Sequence, residues 1–326
     1  MPDVRQLLRT RAYMFALLLA IVLLIANVVA QPSFGDPGNW PAQLATLAPF
    51  ALVAMASTPS IVSGGGGLDI SVGPLTIVVN TILVSWFLPH AGLDSAWLAI
   101  PLLLAIGAGV GAINGLLVTV LRFQPVIATL CSFFVLSGVA LKVAPAPETV
   151  KDVGWLSSLG DQVGPIPGAL ILMAIPVVIW LILSRTSYHR ALYAVGGNDA
   201  TAYSSGVNVY ATRIVAYALG GLFAAVAGIA LTALVLSTQA TNVAAYTLIA
   251  LAAVALGGTP LGGGRGGLLG SILGAFCIYL LQTLLSALDV SATWNQVVYG
   301  GLLVVGVIVG ARLQAARPSK AKAATA

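Results

Sequence analysis

The sequence predicts an all-α, polytopic integral membrane protein of about ten transmembrane helices. Three observations carry this. Of 326 residues, 59% are apolar and only 7% are charged, against roughly 25% charged in an ordinary soluble domain. Mean hydropathy is +1.02. The charges also stand between long uncharged stretches rather than within them. A soluble fold could not hide so much apolar surface, which excludes a soluble enzyme, a nucleic-acid-binding domain and a disordered chain. The net charge of +5 then reports where basic residues flank spans, not affinity for nucleic acid.

Apolar segments follow in order near 12–31, 43–62, 68–88, 97–121, 125–144, 165–184, 213–236, 245–257, 267–288 and 296–312. Most run about 17–24 residues, enough to cross a hydrocarbon core of about 30 Å. The first has Arg5, Arg9 and Arg11 in front, as a signal peptide would. Its apolar run is longer than a signal core of roughly 7–15 residues, so a retained helix is expected. Segment 245–257 is short: it is either a half-helix or a span that extends back through Thr241 and Asn242. Cys131 and Cys277 lie inside apolar runs and read as packing residues.

Charge sets the orientation. With ten spans and an inside N-terminus, the inner segments hold Arg5, Arg9, Arg11, Arg122, Arg185, Arg190, Arg213, Arg265, Arg312, Arg317, Lys320 and Lys322, twelve of the 14 basic residues. Lys142 and Lys151 fall outside, with Asp36, Asp94, Glu148, Asp152, Asp161 and Asp289, six of the 9 acids. The inverted topology opposes the positive-inside bias. The tails 1–11 and 313–326 are therefore expected to be cytoplasmic, and the chain to be one transmembrane domain. The polar connection 185–212 also lies inside. It is expected to hold a short amphipathic helix and to have a task of its own. The other long connection, 145–164, lies outside.

Nothing points to catalysis or to a metal. The chain has no HExxH pair, no GxSxG, no His/Cys cluster and no lysine in a Walker A motif. The run Gly262 to Gly267 matches GxGxxG by letter, but no strand precedes it.

Two glycine-dense segments interrupt apolar runs. One runs from Ser63 to Gly73 and includes Gly65, Gly66 and Gly67; the other runs from Gly257 to Gly267 and includes Gly263, Gly264 and Arg265. Broken helices are tolerated in membranes where the backbone is buried in protein or lines a cavity. Paired breaks in the two halves of a chain point to a translocation path; the alternative is glycine-rich turns at the inner surface. Asp69 has no basic residue near it in sequence. It either caps the helix that starts near Ile70 or meets substrate. Asn114 sits in a stripe of Gly107, Gly111 and Gly115, which allows close helix packing. It makes either an interhelical hydrogen bond or a path contact. The sparse polar candidates for a path are Asp69, Ser71, Asn80, Asn114, Thr119, Asn295 and Gln296. Trp40, Trp86, Trp97, Trp155 and Trp294 fall at predicted outer ends, as an interfacial belt would.

Four blocks of residues resemble the ribose-type permease subunits of bacterial ABC importers, which share a superfamily with branched-chain amino-acid permeases. The stretch from Gly66 to Gly73 resembles GGIDLSVG. Asn114 to Thr119 and Gln124 to Leu130 resemble NGLLVT and PPFIATL. Tyr193 to Asn198, with Ser205-Gly206-Val207, resembles YAIGGN and SGI. Gly257 to Gly266 resembles GGTSLSGGRG. The resemblance covers about residues 43–312. It implies a type II ABC importer-like permease in the bacterial inner membrane that moves a pentose, hexose or related polyol by alternating access. It further implies a second permease subunit, identical or homologous, an extracytoplasmic sugar-binding protein, and a cytoplasmic ATPase that binds the ATP and Mg. This chain then needs no cofactor of its own. The ATPase-coupling role passes to Gly196, Gly197, Asn198, Asp199, Tyr203, Ser205 and Gly206. The chain departs from the pattern at Gly65, at Pro260 and at Ala202-Tyr203-Ser204, where the family often has an arginine. A branched-chain amino acid or nucleoside permease, and an ATPase-independent sugar facilitator, are the alternatives.

Overall fold

The computed structural model describes residues 13–90, 95–150, 153–241 and 243–315, with positions 90, 292 and 309–315 by backbone alone. The predicted tail 1–11 and all but the first three residues of the predicted tail 313–326 lie outside the described residues, as do Asp94, Lys151, Asp152 and Asn242. The helices are α1 (Met14–Ala30), α2 (Trp40–Val62), α3 (Val72–Ile82, running on through a π turn at Leu83–Phe87 to His90), α4 (Ala96–Thr119), α5 (Pro125–Val143), α6 (Gly154–Gly160), α7 (Gly168–Ser184), α8 (Ser187–Gly197), α9 (Asp199–Ser204), α10 (Val209–Val235), α11 (Val243–Leu256), α12 (Leu268–Ala287) and α13 (Asn295–Ala315). A two-residue hairpin, β1 (Gln162–Val163) and β2 (Ile166–Pro167), stands between α6 and α7.

Each of the ten apolar segments corresponds to one helix. Five of these, α2, α4, α5, α10 and α12, are long and apolar enough to cross a bilayer by themselves. Segment 245–257 is a 14-residue helix that starts at Val243, without the backward extension through Thr241. The connection 185–212 holds two short helices, α8 and α9, rather than one, and α8 turns 88° away from α7.

Two helices make the core. The apolar window of α2 is 94% buried and that of α10 is 72% buried. α10 packs on α4, α2 and α3, while α12 packs on α1, α2 and α11. By contrast α4 and α5 turn Leu98, Ile113, Phe134 and Val135 outward, as helices that meet lipid do. The stripe in α4 works as its spacing predicts. A Cβ on Gly111 would strike the Tyr217 carbonyl, and Gly107 and Gly221 each face the other's carbonyl. The two backbones therefore touch, which maximises dispersion contact where lipid offers no hydrophobic drive.

Pro49 and Pro59 each remove a backbone donor from α2. Encasement by neighbouring helices keeps it continuous. α1 is clamped by one polar residue: Asn27 donates to the Leu280 carbonyl at 2.8 Å and accepts from the Thr283 hydroxyl at 2.9 Å. Below it Cys277 and Ala16 pack together, and Cys277 is a free thiol, as is the exposed Cys131.

Helices alternate in direction, so α8, α9 and both glycine breaks share one end of the bundle. Trp40, Trp86, Trp97 and Trp294 are exposed at the other end. There Glu148 and Val150 pair with Thr238 and Leu236 through backbone hydrogen bonds of 2.8 to 2.9 Å.

Candidate functional site

The two glycine breaks converge on the end of α8. Gly64, Gly65 and Gly66 have φ of 73°, 64° and 72°, and Gly263 and Gly264 have φ of 88° and 73°, a region glycine enters without steric cost. A Cβ on Gly64 would stand 2.6 Å from the Gly196 Cα, and one on Gly264 would stand 2.8 Å from the Gly196 carbonyl. A Cβ on Gly196 would strike the Val62 carbonyl. The Gly264 amide donates to that same carbonyl at 3.0 Å. Segments far apart in sequence thus meet backbone to backbone. Tyr193 adds a second tie, its hydroxyl donating to the Gly266 carbonyl at 2.8 Å. Arg265 is exposed, and nothing crowds Gly197.

Asn198 separates α8 from α9 and caps α9, its side chain accepting from the Thr201 amide at 2.9 Å. Asp199 follows. Nη2 of Arg213, from the second turn of α10, lies 2.7 Å from both carboxylate oxygens of Asp199. The Arg213 side chain is 14% exposed and that of Asp199 47%. Arg213 Nε reaches the Ser63 carbonyl at 3.5 Å, a long contact. A Cβ on Gly65 would overlap the same guanidinium. Ser205 and Gly206 close α9: the Ser205 hydroxyl donates to the Thr201 carbonyl at 2.9 Å, and Gly206 turns the chain with φ of 81°. Tyr203 is 68% exposed. It lines a cavity of about 490 Å³ together with Thr119, Arg122, Asp199, Tyr210 and Arg213. On α8, His189 packs against Trp180 and Tyr193, with ring centroids 5.6 and 4.8 Å away. Partial burial pulls its pKa below the usual histidine value.

Three of the polar candidates are joined. Asp69 is 3% exposed and accepts from the Ser71 amide at 2.9 Å and the Ser71 hydroxyl at 2.6 Å. That is an Asx turn leading into α3. Asn114 donates to the Ser71 hydroxyl at 2.8 Å and accepts from Ser132 of α5. The run Asp69–Ser71–Asn114–Ser132 stitches the first break to α4 and α5. Asn80 lies elsewhere, near the other end. It donates to the Thr232 hydroxyl and the Ser237 carbonyl and accepts from the Gln239 amide, at 2.9 to 3.0 Å. These three bonds tie α3 to the end of α10 and to the residues that follow it. Thr119 donates to the Gly115 carbonyl at 2.6 Å at the edge of the cavity. Asn295 and Gln296 begin α13, half-buried and exposed.

Sequence reasoning passed over Ser132, and it counted Arg213 only as a topology charge. One signal existed for Arg213: a cation near a helix N-terminus opposes the helix dipole and calls for a carboxylate partner. Ser132 carried no signal beyond being one more small polar residue in an apolar run.

Comparison with known proteins gives the family. The family described as branched-chain amino acid transport system / permease component matches residues 41–307. The chain belongs to this permease family. It is 34% identical over 300 residues to the ribose import permease protein RbsC of Bacillus subtilis, covering 88% of this chain and 89% of that one. It is 33% identical over 306 residues to the RbsC of Escherichia coli K12, covering 91% and 93%. Against the fructose import permease protein FruG of Bifidobacterium longum it is 32% identical over 270 residues, covering 79% and 78%. No solved structure matches. The permease is thus a multi-pass membrane protein, and its matched region contains both breaks, the α8–α9 connection and the buried polar run.

Proposed function

We propose that this permease is the membrane subunit of an ATP-binding cassette importer that brings a monosaccharide, a pentose, hexose or related polyol, into the cytoplasm. The observation that carries this is the near end-to-end similarity to ribose import permeases; similarity to a fructose permease widens the class beyond one sugar. A cytoplasmic ATPase binds ATP and Mg and docks on α8 and α9. A second permease subunit, identical or homologous, completes the path, and an extracytoplasmic binding protein delivers the sugar. Both termini are cytoplasmic, in a bacterial inner membrane. The chain itself makes and breaks no covalent bond.

The geometry supports alternating access. The end of α8 touches both breaks, so a push on it reaches α2 and α3 on one side and α11 and α12 on the other. A facilitator has no use for such a connection. Nor does the buried interior, among the described residues, offer the ionisable groups of an ion-coupled carrier, Asp69 being tied to Ser71. The test is purification of the tagged permease in mild detergent, with mass spectrometry of its companions, then ribose uptake into proteoliposomes. A stoichiometric P-loop ATPase and ATP-dependent uptake are the expected results. Uptake by the solitary chain without ATP overturns the proposal.

A further inference from the structure

Resting on that reading, we infer that Arg213 is a positioning residue for import: it carries movement of α9 into the break that joins α2 to α3. Three observations place it there. Its Nη2 holds both oxygens of Asp199, the first residue of α9, at 2.7 Å. Its Nε faces the carbonyl of Ser63, where α2 ends, at 3.5 Å. Gly65, inside the break, has no side chain, and a Cβ there would collide with the guanidinium.

One planar group therefore touches the moving part and the hinge together. A guanidinium suits this role because its donors are fixed in a rigid fork, so that a shift at one edge is transmitted to the other. The left-handed glycines that follow Ser63 leave the hinge few side chains to resist the shift. α9 has few other means of steering this hinge. It is six residues long, and only Ala202 among them is buried. The cavity of about 490 Å³ beside Asp199 and Arg213 gives the pair room to move.

The ion pair alone and the relay are separable. Exchanging the charges, Asp199→Arg with Arg213→Asp, restores a pair across α9 and α10. An aspartate at 213 cannot donate to the Ser63 carbonyl. The experiment uses the permease purified with its ATPase, reconstituted with the binding protein, and measures ribose imported per ATP hydrolysed. Recovery of the assembled complex and its basal hydrolysis are followed alongside.

Arg213→Gln is expected to lower import per ATP about tenfold while the complex assembles. Arg213→Lys, which keeps a donor and a charge, is expected to fall about threefold. The exchanged double variant is expected to assemble like wild type and yet import as poorly as Arg213→Gln. Wild-type import per ATP in Arg213→Gln overturns the relay, as does full recovery in the exchanged variant, which would leave a plain structural ion pair. A wild-type complex that hydrolyses ATP without importing any sugar of a monosaccharide panel fails the underlying reading instead, independently of the variants.

Discussion

Gly64 and Gly196 meet with no side chain between them: a Cβ on Gly64 would stand 2.6 Å from the Gly196 Cα. A polar connection predicted to face the cytoplasm is thereby wedged against the end of α2, whose apolar window is 94% buried.

Substitution at this contact is expected to be severe for a steric reason. In Gly196→Ala the new methyl would strike the Val62 carbonyl and stand 2.7 Å from the Gly264 amide nitrogen. Overpacking of this kind costs about 1–3 kcal/mol. Gly197→Ala meets open space and is expected to melt like wild type. Thermal denaturation of the two purified variants, with uptake assays, makes the comparison; equal stability would show that the junction yields easily.

Asn114→Ala removes the two bonds that Asn114 makes in the polar run and leaves the Ser132 hydroxyl without its acceptor, while Ser71 keeps its bond to Asp69. An unsatisfied buried polar group costs about 1–3 kcal/mol. The melting temperature is expected to drop while topology stays intact. Asn80→Ala is expected to destabilise by a similar amount but to act at the other end, by freeing residues 237–239. Hydrogen exchange at Gln239 is the local readout.

The α4–α10 seam gives a third contrast. Gly111→Val is expected to separate the helices, since the seam already places Gly111 against the Tyr217 carbonyl. Gly109→Val faces open space and is expected to be tolerated. Expression level and monodispersity in detergent distinguish the two.

His189 supplies a pH dependence. Its pKa is lowered by burial, so the folded state binds fewer protons than the unfolded one and packing strengthens as pH rises. The effect is absent above the ordinary histidine value of 6.5 and grows as pH falls below it. Limited proteolysis of the 185–212 connection is expected to quicken between about pH 7.5 and about pH 5.5, and to lose that dependence in His189→Gln.

Sidedness is checked with cysteines at Val150 and Ala200 in a Cys131→Ser background. An impermeant thiol reagent is expected to label the first from outside sealed cells and the second only after lysis. Labelling of both from one side overturns the charge-based orientation.

The helices were legible because ten apolar runs separated by charge can fold in lipid in few ways, and because glycines at four-residue spacing in α4 announce a close partner. The breaks were legible as breaks, but not as neighbours. That Gly64, Gly196 and Gly263 converge depends on tertiary packing, and glycine leaves no complementary side chain by which to infer its contact. Asn80 illustrates a different gap. The sequence offers it as a path candidate, while its partners Thr232, Ser237 and Gln239 come from a segment distant in sequence that no local pattern announces. Arg213 was visible as a charge, while its two contacts belong to residues in separate segments.

A joint made of bare backbone has a further consequence for how such a protein can diverge. Gly64, Gly196, Gly263 and Gly264 can be exchanged only for something larger, and a Cβ on any of them meets backbone. Mutation therefore has no graded way of altering the joint itself. Adjustment of drive strength or partner fit falls to the side chains around it, at Asp199, Tyr203 and Arg213, which can be lengthened, shortened or recharged while the contact of Gly64 with Gly196 stays as it is.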